Sequence, residues 1–309
     1  MSFPRLSLSS LRHLMRAVLI VAAGAAIAGC KEGRDAYAIT DSGSLIKFQT
    51  DKPESLDNTM TITGLADGES ILQIDFRAED EVLYGLTSNN RIATIDTDNG
   101  VATLVSATPF ETSPGVSGQL NQPVMDINPQ QDLIRVIDYQ PTSSGTPTSI
   151  LRINPVTGAL DQSDGSMLRF NDSDTNDGEV VQLAAIAHTN NDKDATTTTL
   201  YGLEFNTQSL VRITNAGVLT TVGVLDRGFV AIAGFDVVRE RGDKPEDIGT
   251  AYVAIAERNN TSRFYEINLT DGNTSGTGSG TNGSEIGSGL QIRSLAVSPK
   301  PPKRNGLGN

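Results

Sequence analysis

The chain has no tryptophan, one cysteine and two histidines in 309 residues. With Cys30 as the only cysteine, no disulfide can form within the chain and no thiolate cluster can hold a metal. Metal sites that need two or three imidazoles are excluded too, because His13 sits in an N-terminal basic segment and only His188 remains. A Ser-His-Asp triad would have to use His188. It ends an AIAH strand phrase and no Gly-x-Ser-x-Gly elbow occurs, so a catalytic role is disfavoured. Aromatics make up 5%, so the core must rest on Ile, Val, Leu and Ala. No amphipathic helix pattern follows Cys30, and no glycine-rich phosphate loop stands between a strand and a helix.

Positive charge is also scarce, with a formal net charge of -13. Residues 1–29 hold Arg5, Arg12 and Arg16 and no acid, so their removal takes the charge from -13 to -16. Nucleic-acid binding needs a concentrated basic face, and the body has none. The one basic cluster is Lys300, Lys303 and Arg304, in a proline-rich tail expected to be disordered over 300–309.

The N-terminus reads as an export signal. A basic stretch over 1–16 precedes the apolar run AVLIVAAGAAI at 17–27, too short for a span of about 20 residues. Ile27, Ala28, Gly29 and Cys30 then form a lipobox-like site. Residues 1–29 are expected to be a lipoprotein signal peptide. Cys30 is the expected lipid attachment site, with Ile27, Ala28 and Gly29 recognised by the signal peptidase and 30–35 as tether. Two or three acyl chains suffice for stable anchoring. The partner so implied is a lipid bilayer in the bacterial cell envelope. Lys31, in place of the aspartate that retains enteric lipoproteins in the inner membrane, favours the outer membrane, at its periplasmic face or the cell surface.

After residue 35 a four-strand phrase repeats. Residues 71–77, 81–86, 91–96 and 101–105 read as strands, with Asp98-Asn99-Gly100 turning into the last. The order recurs over 123–161, 183–223 and 230–272. One strand is left over at 291–299, and three near the start in AYAIT, SLIKFQT and TMTITGL. Together these complete a fifth unit. The expected fold is therefore all-β: a single β-propeller over 36–299 with about five four-stranded blades, closed by N-terminal strands pairing with the C-terminal strand. A sixth blade is left open by the uneven spacing. The fourth unit lacks a convincing last strand, and 272–289 reads as a flexible Gly/Ser loop.

The phrases AYAITDSGSLIKFQT, ILQIDFRAEDEVLYGL with RIATIDTDNG, MDINPQQDLIRVID with LRINPVTGAL, and AHTNNDKDATTTTLYGLEFNTQSLVRIT with GVLTTVG resemble a bacterial secreted family known only as domain-of-unknown-function family 4394. The resemblance covers nearly all of 36–240, while 241–290 departs from it. It implies a propeller-like extracellular domain and no activity.

Three first strands carry an aspartate between apolar residues: Asp75, Asp126 and Asp236. Ala187 and Ala296 stand at the equivalent places in the other two units. First strands line a propeller's channel, so these carboxylates are the candidate metal ligands, with a hard cation such as Ca2+ as the cofactor. The favoured alternative is that each accepts hydrogen bonds from a neighbouring blade's backbone. In the loop 171–179, Asp172, Asp174 and Asn176 alternate as at the start of a Ca2+ loop, but Asp177 displaces the glycine and Glu179 comes too early. A solvated loop is favoured there. Arg135 and Arg152 are expected to pair with acids such as Asp132. The leading functional expectation is a monomeric, non-enzymatic envelope lipoprotein that binds a protein or glycan. The alternatives are a metal-assisted lyase or hydrolase using the channel, and a structural spacer.

Overall fold

A computed structural model describes residues 33–115, 118–139, 148–164, 168–229, 233–239, 248–256, 261–277 and 283–300. Ile27, Ala28, Gly29, Cys30 and the tail from 301 lie outside them. The described residues are all strand, turn and loop, with no helix, and form five antiparallel sheets.

The first sheet joins the chain ends. It contains β1 (Asp35–Thr40), β2 (Ser44–Gln49) and β3 (Lys52–Thr61). Next come β4 (Ile71–Arg77), β5 (Val82–Thr87), β6 (Ile92–Ile95) and β7 (Ala102–Leu104), paired in that order. The following blade holds β8 (Gln122–Asn128), β9 (Leu133–Tyr139), β10 (Thr148–Ile153) and β11 (Leu160–Asp164). The next gains a strand, because β12 (Arg169–Phe170) runs parallel beside the outermost of β13 (Leu183–His188), β14 (Leu200–Glu204), β15 (Ser209–Ile213) and β16 (Val218–Val224). The last full unit has β17 (Ala233–Val238), β18 (Thr250–Ala256), β19 (Ser262–Ile267), β20 (Thr274–Gly276) and β21 (Ser284–Glu285). Finally β22 (Ile292–Val297) returns to pair with β1 as the innermost strand of the first sheet. The protein is a five-bladed β-propeller closed by its two chain ends.

Apolar burial explains why the sheets form a ring. Inner and second strands are buried on both faces, as in the patterns of β4 and β5. No sheet can cover both faces alone. Five apolar clusters result, one between each pair of neighbouring blades. Tyr84, Leu86 and Ile92 meet Met125, Ile134 and Val136, for instance, while Ala38, Ile46 and Phe48 meet Tyr252, Ala254 and Phe264.

The turn between third and fourth strands repeats one device. Asp96, Asn154 and Asn268 each accept, at a side-chain oxygen, the N–H two residues on, at 2.8–2.9 Å. Their carbonyls accept the N–H of Gly100, Gly158 and Gly272, all at φ of +69 to +77°. Only glycine takes that conformation without a Cβ penalty.

One local expectation fails. Residues 272–289 do contribute strands: β20 pairs with residues 265–267 of β19, and β21 with Arg263 and Phe264. The outer strand is thus split in two around residues 278–282, which lie outside the description. Short polar pieces carry too little alternation to register as strands in the sequence, and β19 supplies the pairing edge that selects them.

Candidate functional site: the central channel

Each inner strand pairs with a second strand on one side only. Its other edge faces the channel, so alternate N–H groups point inward. Buried amides need acceptors. The three aspartates supply them in an ordered way. Phe76 and Ile127 donate to the two oxygens of Asp75, each at 2.7 Å. His188 donates its backbone N–H to Oδ2 of Asp126 at 2.9 Å. Val237 and Val297 donate to the two oxygens of Asp236, each at 2.6 Å. One amide from every blade is satisfied by three side chains. This is the interblade role favoured for these residues, and it explains why Ala187 and Ala296 suffice: their neighbours' carboxylates reach over. A fourth link is neutral, the Ser294 hydroxyl accepting the Ile74 N–H at 3.0 Å.

The three carboxylates also converge. One oxygen from each of Asp75, Asp126 and Asp236 lies within 4.8 Å of the others, and this is the sole group of three or more potential metal-ligating side chains among the described residues. All three residues are no more than 4% exposed. Burial and the negative charges of Asp126 and Asp236 hold the Asp75 acid well above the ordinary carboxylate range. Burial and the charge of Asp236 do the same to Asp126, against the pull of the His188 N–H and the Arg135 guanidinium. Asp236 is pushed up to about 7, with burial outweighing its two amide bonds.

His188 Nδ1 contacts Asp126 Oδ2 closely. Burial, then the positive charge of Arg135, pushes the imidazole down to about 3. The contact therefore joins an uncharged ring to Asp126 and is not an ion pair, because a dry channel disfavours the imidazolium. No local pattern marks His188 and Asp126 as partners, since 62 residues separate them.

The space left beside these groups is about 10 Å³, enough for one water, between Ile74, Asp126, Ala185, Gly234 and Ser294. Beyond His188 the channel mouth is crossed by residues 189–199, the long connection from β13 to β14. Lys193 reaches Glu79 at 2.9 Å, the Thr196 carbonyl accepts from Gln130 at 2.6 Å, and Asp192 binds Arg239 at 2.6 Å. One loop so touches three other blades. On the opposite rim, a cavity of about 390 Å³ is lined by Asn89, Asn90, Pro109, Phe110 and Gln119.

The other candidates resolve simply. Asp174 spends its oxygens on the Thr221 N–H and hydroxyl at 2.6 and 2.8 Å, and on the Asn176 N–H. Burial alone would push its pKa up, and those bonds outweigh it, leaving Asp174 below the usual carboxylate range. Asp172 turns outward to Arg169. The loop 171–179 is thus tied to β16 and does not gather ligands. Asp132 pairs with Arg77 from the neighbouring blade at 2.5 Å, while Arg135 donates to Asn215 at 3.0 Å. Asp132 finds its partner in the neighbouring blade because strand ends meet there.

Residues 44–296 match the family described as a domain of unknown function, DUF4394. The chain belongs to this family. The match runs through 241–290, the stretch expected to depart from it. Among proteins with curated descriptions, none matches the chain. Solved structures similar to it include a structural-genomics protein of unknown function from Bacteroides thetaiotaomicron, at 13% identity and TM-score 0.46, over 88% of this chain and 65% of that one. Another is a gluconolactonase from Xanthomonas campestris, at 13% identity and TM-score 0.40, over 88% and 85%. A protein from Lactobacillus plantarum has 14% identity and TM-score 0.39, over 84% and 70%. Likenesses this distant carry no argument about activity.

Proposed function

We propose that this DUF4394 propeller is a lipid-anchored envelope protein that binds a protein or glycan through its rim loops and does no chemistry in its channel. The observation that carries this is the state of the channel. Its acids and its histidine are buried, their polar atoms are engaged by backbone amides and by each other, and the remaining space of about 10 Å³ admits no substrate. Recognition is left to the rims, where loops vary without disturbing the ring.

The anchor rests on Ile27, Ala28, Gly29 and Cys30 after a short apolar run. Cys30 is four residue steps from the buried Arg34, a reach of at most roughly 14 Å. So short a tether keeps the ring at the membrane surface. The test is fatty-acid labelling and fractionation of cells making the wild-type chain or Cys30→Ser. The wild type should carry label and sediment with membranes, and Cys30→Ser should do neither. Sedimentation of a signal-cleaved Cys30→Ser chain with membranes would sink the anchor.

A metal-assisted lyase or hydrolase is favoured by one observation, the convergence of three carboxylates. That reading requires Ca2+ or Mg2+ binding by calorimetry and a turnover abolished by Asp126→Asn. Engagement of the same oxygens by amides weighs against it.

A further inference from the structure

We propose that the ring rests on an anionic bilayer by one particular face, the face where the inner strands end, and turns the opposite rim with its cavity toward solution. The proposal rests on the acylation of Cys30 and decides which rim is left free to bind.

The ends of β4, β8, β13, β17 and β22 lie on one face. Contacts among the residues that follow them bring those ends together: Lys193 meets Glu79 at 2.9 Å, Asp192 meets Arg239 at 2.6 Å, the Thr196 carbonyl accepts from Gln130 at 2.6 Å and Lys300 meets Glu81 at 3.5 Å. The chain enters the ring on the same face. Ala36, near the start of β1, pairs with Val297 at the end of β22, and the Ser298 N–H donates to the Asp35 carbonyl at 2.8 Å. Arg34 is fixed there by its backbone and its side chain. Its N–H donates to Thr50 Oγ1 and its carbonyl accepts the Thr50 N–H, each at 2.9 Å. Its guanidinium donates to the carbonyls of Ser298, Pro299 and Arg239. The tether thus starts from a fixed point and does not lengthen by peeling β1 away.

Reach then selects the face. Cys30 extends at most ~14 Å from Arg34. From Arg34 to Thr40, at the other end of β1, the strand covers about 20 Å. An acylated Cys30 therefore cannot sit in a membrane that touches the opposite rim. Charge agrees with reach. In this acidic chain the one basic cluster, Lys300, Lys303 and Arg304, follows Pro299 out of the same face, beside the tether. Anionic headgroups attract such residues. Glu79, Asp80, Asp132 and Asp192 of that face are already paired with Lys193, Arg77 and Arg239, which lowers the repulsion that bare acids would raise. Its exposed large apolar side chains, Val101, Val156 and Ile248, belong to three separate blades, so the face lies against headgroups and does not insert. The cavity of about 390 Å³ at Asn89, Asn90 and Phe110 is on the far rim, where a partner arriving from solution meets it.

The experiment is fluorescence quenching of the acylated chain in vesicles of phosphatidylcholine and phosphatidylglycerol that carry a headgroup-nitroxide lipid. Acylation consumes Cys30, so a single introduced cysteine takes the fluorophore. Gln131→Cys and Asp194→Cys report on the bilayer face, Ser42→Cys and Asn206→Cys on the opposite rim, and all these positions are exposed. We expect the first pair to be quenched severalfold more than the second. A Gly/Ser insertion of about 20 residues after Lys31, with an end-to-end distance of ~25 Å, should erase most of the difference. Equal quenching on the two rims, or stronger quenching at residues 42 and 206, would overturn the orientation and leave the anchor standing. A chain that carries no acyl group and stays in the supernatant would overturn anchor and orientation together. A difference that survives the insertion would show that the face adheres by itself, against the role given to the tether.

Discussion

Gly85 and Gly202 occupy the same place in two second strands, each after a tyrosine. A Cβ at Gly85 would lie 2.9 Å from Ile95 Cδ1 and 3.0 Å from Ile71 Cδ1; at Gly202 it would lie 2.9 Å from Ile213 Cδ1 and 3.0 Å from Leu183 Cδ2. The glycine makes room for large side chains of the first and third strands to meet over the second. The Tyr-Gly recurrence is plain in the sequence, but its cause is visible only when three strands lie side by side. Replacing Gly202 by Leu overfills this space and should cost about 1–3 kcal/mol in urea unfolding. Gly234 is stricter, because its Cβ would fall 2.4 Å from Leu295 Cβ and 2.8 Å from the Leu295 backbone nitrogen. The obstacle there belongs to the next blade's main chain and cannot rotate away. Gly234→Val should therefore cost more than Gly202→Leu in the same assay, and equal losses would show that the interface yields.

Among the elements, β22 has the most consequence for its length. Six residues supply the inner strand of one blade, the partner of β1 and the donor Val297 to Asp236. The closure has a second fastening in Arg34. This buried guanidinium donates to the carbonyls of Ser298 at 3.2 Å, Pro299 at 2.9 Å and Arg239 at 2.7 Å, so both chain ends and a neighbouring blade are held together. Arg34→Ala should lower stability by roughly 2–3 kcal/mol by thermal or urea unfolding, the scale of hydrogen bonds from a charged donor. The connection over the channel mouth is a weaker tie. Lys193 and Glu79 are both about half exposed, and Lys193→Ala should change stability by less than about 1 kcal/mol. The leftover strands at the two ends of the chain made the shared blade legible. The split outer strand β20–β21 was not legible, because two- and three-residue strands take their conformation from the edge they pair with and not from their own pattern.

At the scale of the molecule, the described residues form five apolar interfaces in series, one between each pair of neighbouring blades. Opening one exposes an edge strand and two apolar faces at once. Deleting residues 292–309 should therefore abolish cooperative unfolding of the whole ring, seen as loss of the calorimetric transition, and leave more than a four-bladed remnant unfolded. A surviving sharp transition would mean that the blades stand alone. The sequence by itself determined the all-β architecture, a repeat of about five units and the shared closing blade, because alternation, turn residues and repeat order are local properties; the closed ring decided five against six. It also placed one aspartate in each of three first strands. Only the tertiary structure decided what those aspartates do. Whether three buried acids hold a metal, protons or amides depends on distances of a few ångströms between residues up to 161 positions apart, and those distances exist only when the ring is closed.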